Sequence, residues 1–282
     1  MTGRQPVTAG LDGSPESLAA VDWAAREALR RELPLHLVHV FDRPSRPSGL
    51  PEIDAPAQRE RDALDRAVLR ISTAYPDLGI LDEEVPGSPV RELLAAAAYS
   101  TLCVLGSRGL GALTGALVGS VAAAVAARAS CPVVLVRADE RPWAQRRDQV
   151  PGPHGPVVLG LDLDHPCDEL LEFAFVTAAL RGAPLHVLHA WAVPLAPGAD
   201  APVLAKSHLL TAALAPWRHK FPATQVTERL PHGAAGRRLV DATPAAGLLV
   251  LGRRIAAGPH FGATAHAVIH HATSPVAIVP HR

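Results

Sequence analysis

The chain of 282 residues is long enough for two domains of ordinary size, and its 48% hydrophobic content allows a substantial core. Its 27 basic and 27 acidic residues cancel to a formal charge of zero. This balance argues against nucleic acid or an anionic membrane as a partner, because both attract strongly basic surfaces.

Apolar runs alternate with helical patterns throughout the first half. Five short apolar runs predict strands at 7–11, 35–41, 81–85, 102–105 and 133–136. Helices are predicted between them, first from Pro15 behind the N-cap candidate Ser14, then over 60–75, over 90–99 and from Gly119 onward. The proline-rich residues 42–58 predict a loop. The alternation predicts an α/β fold in which a parallel sheet has helices on both faces.

Four sequence blocks recur in the same order in the second half. Residues 7–12 recur as 157–162 and residues 34–39 recur as 184–189, both at an offset of 150. The blocks at 102–106 and 131–136 recur at offsets of 146 and 143. We infer a tandem duplication, with domain 1 at residues 1–138, a linker at 139–155 and domain 2 at 156–282.

A glycine-rich stretch, residues 106–121, follows the fourth apolar run and precedes a helical pattern. Its five glycines permit positive φ angles and the close approach of a ligand. Free amides expected near Gly119 and Ser120 favour an anion. From this stretch alone, a phosphate-binding loop and an ordinary flexible loop are equally good interpretations.

The spacing of these glycines matches a known family motif. Gly106 is followed after two residues by Gly109, and after nine more by Gly119 and Ser120. An early Asp12-Gly13-Ser14 and the helix pattern at 17–24 accompany it. With the repeat, these features resemble the tandem two-domain form of the universal stress protein (UspA) family, similar to those of actinobacteria. The resemblance implies two Rossmann-like domains of the adenine nucleotide alpha hydrolase-like type, each with a five-stranded parallel sheet of order 3-2-1-4-5.

The resemblance also implies a ligand, ATP with or without Mg²⁺. In such a sheet the ligand crevice lies at the carboxyl ends of the strands where the strand order reverses. The residues expected to contact the nucleotide are Leu11, Asp12, Val40, Gly106, Arg108, Gly109, Gly119, Ser120 and Val121. By the resemblance, Asp12 contacts the ribose or adenine, the backbone at Val40 reads the adenine edge, and the glycine-loop residues hold the phosphates. Two alternatives stay open: Asp12 as a helix cap, and Arg108 as an exposed arginine.

The second half departs from the motif. Ile255 stands where Gly109 stands, Gly262-Ala263 replaces Gly119-Ser120, and Leu163-Asp164 replaces Gly13-Ser14. We therefore predict that the second half binds ATP weakly or not at all. Arg253 and Arg254 leave another anionic ligand open, although a degenerate copy kept for pairing is the simpler interpretation.

Other chemistry finds little support in the sequence. The P-loop motif and the nucleophile elbow are absent, and the histidine spacing does not favour a metal site. We therefore expect no catalytic and no metal-binding residues. Three scattered cysteines without a CxxC pair are typical of reduced thiols in a cytosolic protein. Without a signal-peptide pattern or a membrane-spanning run, we expect a soluble, cytoplasmic protein with no membrane partner.

Three functions from different classes remain open. The first is a non-catalytic ATP-binding protein of the stress response, with nucleotide in domain 1 only. The second is a slow ATP hydrolase, an enzyme with at most weak activity, and the third is a nucleotide-independent scaffold that binds a protein partner. The apolar edge strands at 133–136 and 276–279 are expected to pair the two halves and to allow a homodimer.

Overall fold

The computed structural model describes residues 5–41, 55–107, 118–138, 155–165, 167–191 and 200–282. The chain divides into two compact units, unit 1 (Met1–Glu140) and unit 2 (Arg141–Arg282). Each unit is an α/β domain with a parallel sheet, so the predicted fold class is confirmed.

Unit 1 alternates strands and helices along the chain. The strands are β1 (Val7–Leu11), β2 (Leu35–Phe41), β3 (Ile80–Pro86), β4 (Leu102–Ser107) and β5 (Val133–Arg137). The helices are α1 (Pro15–Arg31), α2 (Ala55–Ala74), α3 (Pro89–Ala97) and α4 (Ser120–Ala126). Helix α2 begins at Ala55, so the loop predicted over 42–58 is wrong at its end, and residues 42–54 lie outside the described part.

The sheet of unit 1 has the order β3-β2-β1-β4-β5 with all pairs parallel. Central strand β1 is buried along its whole length because β2 and β4 flank it and helices cover both faces. Helix α1 packs on β1 and β4, whereas α3 packs on β1, β2 and α4. The strand order reverses between β1 and β4, and their carboxyl ends open a crevice there.

Local sequence sets both ends of α1. Ser14 is the N-cap: its side chain accepts a hydrogen bond from the Ser17 amide, and Pro15 occupies the first helical position. The helix ends at Glu32, which has left-handed backbone angles (φ 53°) and leaves the next residues free to enter β2. The N-terminal cap predicted from the sequence is therefore present.

Unit 2 repeats this arrangement. Its strands are β6 (Val157–Gly160), β7 (Leu185–Leu188), β8 (Val226–Arg229), β9 (Leu248–Arg254) and β10 (Val276–His281). Its helices are α5 (Asp168–Arg181), α6 (Asp200–Lys220), α7 (Ala235–Ala242) and α8 (Ala263–His271). The strand order is β8-β7-β6-β9-β10, again parallel, with β6 at the centre.

Helices α1 and α5 end at equivalent positions of the sequence repeat but start at different ones. Both end at a left-handed residue, Glu32 in unit 1 and Gly182 in unit 2, at the offset of 150 residues. At that offset, α5 should start at His165 to match Pro15, yet it starts at Asp168. The first turn of the helix is therefore missing in unit 2. Within the described residues, no helix is both long and apolar enough to cross a membrane.

Candidate functional site

A cleft of about 260 Å³ lies at the carboxyl ends of β1 and β4 in unit 1. Its walls come from the turn after β1, the start of α1, the end of β2, the start of α3 and the start of α4. This is the place where a doubly wound sheet binds ligands. Seven of the nine predicted contact residues line it: Leu11, Asp12, Val40, Gly106, Gly119, Ser120 and Val121. The other two, Arg108 and Gly109, lie outside the described residues.

Asp12 is held by the turn that starts α1. Its Oδ1 accepts hydrogen bonds from the Ser14 amide at 3.0 Å and from the Ser14 hydroxyl at 2.5 Å. Partial burial opposes ionisation, but these hydrogen bonds outweigh it, so the pKa of Asp12 lies below its usual value. Asp12 therefore supports the turn as a carboxylate, and it also faces the cleft. Ser14, not Asp12, is the N-cap.

Gly106 is required by close packing rather than by an unusual backbone angle. A Cβ atom there would lie 2.5 Å from the carbonyl carbon of Glu16 and 2.7 Å from the Ser17 amide nitrogen. The first turn of α1 thus presses directly on the end of β4. Neither described glycine of this stretch uses the positive φ that glycine permits, since Gly119 has φ −56° and Gly106 is not in the left-handed region.

Gly119 has a different environment. It is the N-cap of α4, where no side chain accepts a hydrogen bond from the first helical amides. A Cβ atom added to it would meet no atom of the described residues within 4 Å. Packing against the described residues therefore does not require glycine at this position. Ser120 and Val121 follow in the first turn of α4 and face the same cleft.

Strand β2 extends past its neighbour at the cleft. The β1–β2 pairing ends at Leu11 and His39, so Val40 lies beyond the paired segment. Val40 is half-buried and lines the cleft beside Val38. The end of β2 therefore borders the cleft.

Several cleft residues were missed by sequence reasoning. Ser14, Glu16 and Ser17 come from the start of α1, and Pro89 and Leu93 come from α3. The serines and Glu16 could have been found from the helix start, which must lie beside the end of β1. Pro89 and Leu93 carry no comparable signal, because the crossover from β3 to β4 decides where α3 passes.

Unit 2 has a corresponding cleft of about 430 Å³ at the ends of β6 and β9, larger than the 260 Å³ of unit 1. Asp162, Gly252 and Gly262 line it at the positions that Asp12, Gly106 and Gly119 occupy in unit 1. Gly262 is the N-cap of α8, as Gly119 is of α4. The expected alignment of the two motifs is thus observed at the level of the helix starts.

The turn after the first strand differs between the units. Gly13 has φ +79°, which glycine adopts readily, whereas Leu163 at the equivalent place is not in the left-handed region. Asp162 accepts a hydrogen bond from the Asp164 amide at 3.1 Å and pairs with His165 at 3.1 Å. In unit 2 the carboxylate of this turn therefore contacts a histidine, whereas in unit 1 it contacts the N-cap serine.

The cysteines do not provide reactive thiols in the described structure. Cys103, Cys131 and Cys167 are free and buried. Burial raises the pKa of each, to about 11 for Cys131 and Cys167 and further for Cys103, so all three stay protonated. Among the described residues, no group of three or more histidine, cysteine, aspartate or glutamate side chains is placed to hold a metal ion.

Known proteins are similar to this chain in sequence and in fold over nearly its whole length. The family model described as "Universal stress protein family" matches residues 3–137 and 154–280. A universal stress protein of Mycobacterium tuberculosis is 33% identical over 290 residues, covering 96% of each chain. One from Mycolicibacterium smegmatis is 30% identical, covering 97% of this chain and 96% of that one. A solved universal stress protein from Archaeoglobus fulgidus shares the fold with a TM-score of 0.70 at 17% identity, covering 98% of both chains.

Proposed function

Because the chain belongs to the universal stress protein family, with two tandem domains of that family, we propose that unit 1 binds ATP and that the protein acts in the stress response without catalysis. The observation that carries the proposal is the cleft of unit 1, which gathers Asp12, the end of β2 and both described motif glycines, Gly106 and Gly119, in one place. Asp12 and Gly119, the first and last of these groups, are more than one hundred residues apart in the sequence.

The nucleoside end of the ligand fits the wall formed by β1, β2 and α3. Val38, Val40, Pro89 and Leu93 supply apolar surface for an adenine ring. The Asp12 carboxylate, kept ionised by its lowered pKa, accepts hydrogen bonds from ribose hydroxyl groups. The backbone of Val40 offers polar groups to the adenine edge where β2 has passed the end of β1.

The phosphate end fits the side of β4 and α4. The open space over Gly119 lets phosphate oxygens approach the backbone, and the Ser120 hydroxyl adds a donor. Arg108 and Gly109 belong to the same motif and are proposed to contact the phosphates.

Charge in the described cleft points to a divalent cation with the nucleotide. Asp12 and Glu16 line the cleft, and none of its described lining residues is basic. Two carboxylates and a triphosphate repel one another unless a cation lies between them. We therefore propose that the bound species is ATP with Mg²⁺.

Calorimetric titration of the full chain with MgATP tests the proposal. We expect one ATP per chain, because only unit 1 carries the complete motif. Gly119→Ala should weaken binding, since its Cβ enters the open space that the phosphates need. The matched variant Gly262→Ala also adds a Cβ to an open helix N-cap, in unit 2, and should leave binding unchanged.

The alternative functions are outcomes of the same measurement. No binding at millimolar MgATP would favour a nucleotide-independent scaffold, and two equal sites would contradict the asymmetry. Phosphate release above the background of Gly119→Ala would identify a slow ATP hydrolase. The cytoplasmic location and the homodimer stay predictions, and analytical ultracentrifugation checks the latter.

A further inference from the structure

The cleft of unit 2 has a shape of its own. In unit 1, the backbone of Glu16 and Ser17 fills the space beside Gly106. In unit 2 that first helical turn is absent, and the nearest atoms to a Cβ on Gly252 belong to the His281 ring and to Leu170. An imidazole from the end of β10 thus borders the space that helix backbone occupies in unit 1. The cleft that His281 and Leu170 line has a volume of about 430 Å³.

The described lining residues of the two clefts differ in charge. Among the described lining residues, unit 1 contributes the carboxylates of Asp12 and Glu16 and no basic group. The lining of unit 2 has one carboxylate, Asp162, against two arginines and four histidines. Asp162 is paired with His165 at 3.1 Å, which offsets its charge when the histidine is protonated. The basic and histidine residues of this cleft are Arg253, Arg254, His165, His189, His260 and His281.

The arginines stand where unit 1 has Ser107 and Arg108. Ser107 is buried and donates a hydrogen bond to the Val136 carbonyl at 3.2 Å, so its side chain links β4 to β5. Arg253, at the same place on β9, is 7% exposed and lines the cleft. Burial lowers the pKa of Arg253, because its charge has lost part of its solvation. An anion in the cleft would interact favourably with this buried positive charge.

Helix α8 contributes a further feature that attracts anions. It has nine residues and starts at Ala263 on the cleft, with no side chain capping its first amides. Thr264 lines the cleft in its first turn and adds a hydroxyl donor. Helix amides, a hydroxyl group and two arginine side chains are the groups with which proteins bind phosphate.

We propose that the cleft of unit 2 is a separate binding site for a small phosphorylated compound, held by Arg253, Arg254 and the start of α8. The site takes compact phosphate groups rather than ATP, because Ile255, Ala263 and Leu163-Asp164 replace the motif residues Gly109, Ser120 and Gly13-Ser14 of unit 1. The two units thus accept ligands of different chemistry.

Calorimetric titration of the full chain with pyrophosphate, at fixed ionic strength and in EDTA, tests this site. Under these conditions the carboxylates of unit 1 repel the probe. We expect one pyrophosphate per chain. The double variant R253Q/R254Q should weaken binding by about tenfold or more, the usual effect of losing charge-assisted hydrogen bonds. The control Arg237→Gln removes one positive charge from an exposed position on α7, outside the described cleft lining. It should bind pyrophosphate as the wild-type chain does.

Because Arg253 is buried, its replacement in the double variant can also destabilise the fold. Two further variants test the site without changing Arg253. Arg254→Gln changes an exposed side chain and should weaken binding on its own. Asp162→Asn removes the one carboxylate of the cleft lining and should strengthen pyrophosphate binding, an effect that loss of structure does not produce. No binding to the wild-type chain, equal binding by R254Q, or weaker binding by D162N would overturn the proposal.

The ATP site of unit 1 is tested separately. R253Q/R254Q should bind MgATP like the wild-type chain, since neither arginine belongs to unit 1. Loss of pyrophosphate binding with intact MgATP binding supports both proposals. Pyrophosphate binding by a chain that binds no MgATP would remove the proposed function and leave the site of unit 2 standing.

Discussion

The Nδ1 atom of His39 lies 2.8 Å from the backbone carbonyl oxygen of Leu11, and the His39 residue is only 2% exposed. A carbonyl oxygen can only accept a hydrogen bond, so Nδ1 must carry the proton. Unit 2 repeats the contact between His189 and Leu161 at 3.0 Å. A buried histidine on the second strand therefore fixes the end of the first strand in both units, directly before Asp12 and Asp162.

Replacing His39 with leucine should destabilise unit 1 and weaken ATP binding. The Leu11 carbonyl would be left without this donor inside the protein, which costs about 1–3 kcal/mol. Asp12 follows Leu11, so movement of the strand end also displaces the carboxylate proposed to contact the ribose. Denaturant unfolding and MgATP calorimetry measure the two effects.

The matched variant His189→Leu removes the same contact from unit 2. It should destabilise the chain similarly and leave the affinity for MgATP unchanged. Equal losses of affinity in both variants would show that the histidine acts through general stability and not by placing Asp12.

Gly106→Ala should lower stability more than Gly119→Ala. The new Cβ at position 106 would lie 2.5 Å from backbone carbon of Glu16, so β4 and α1 must separate. Such overpacking costs about 1–3 kcal/mol. A Cβ at position 119 meets open space and should leave the unfolding midpoint unchanged. Similar midpoints for the two variants would contradict the packing assigned to Gly106.

The strands of the sheet were predicted well, because strands that are buried on both faces consist of apolar residues. Buried strands such as β1 and β4 are short apolar runs, and the repeat of the blocks around them identified the second sheet before any contact was known. Helix boundaries were harder, since α2 begins at Ala55 inside a proline-rich segment. Asp54 and Pro56 are residue types that favour a helix start, but the prolines around them predicted a loop instead.

The candidate site was predictable in part. Asp12, Gly106 and Gly119 meet because parallel strands place their carboxyl ends on one edge, which strand order alone implies. The reason for Gly106 was not predictable, since it depends on how closely α1 packs on β4. The start of α5 at Asp168, three residues later than the repeat implies, carries no clear signal in the sequence. The difference in charge between the described linings of the two clefts was not predictable either, because the sequence does not show which side chains line a cleft.

Ser14→Ala should raise the pKa of Asp12 towards its usual value. The hydroxyl of Ser14 donates a hydrogen bond to the Asp12 carboxylate and so favours its charged form. A lowered pKa in the folded state stabilises the fold above the pKa of the unfolded chain, and this stabilisation is lost as the pH falls through the lowered pKa. Carbon-13 NMR titration of the carboxyl group measures the shift.

The same variant also loses the N-cap contact with the Ser17 amide, which costs about 0.5–2 kcal/mol at any pH. The stability difference between the wild-type chain and Ser14→Ala should therefore be largest at neutral pH and shrink in acid without vanishing. A difference that is constant down to pH 2 would mean that Ser14 acts on the helix alone and not on Asp12.

Removal of Mg²⁺ should weaken ATP binding by about tenfold or more, a change of about 1.4 kcal/mol. Asp12 and Glu16 both line the cleft of unit 1, and without a cation each faces the triphosphate as a like charge. Calorimetric titration with ATP in EDTA and in excess Mg²⁺ measures the difference.

Glu16→Gln should reduce this dependence on Mg²⁺, because it removes one of the two carboxylates. Affinity in EDTA should rise, while affinity in Mg²⁺ changes little. Glu32→Gln makes the same charge change at the exposed far end of α1 and should keep the full dependence. If both variants respond to EDTA as the wild-type chain does, the carboxylate at position 16 does not face the bound phosphates, and the placement of the triphosphate along β4 and α4 must be revised.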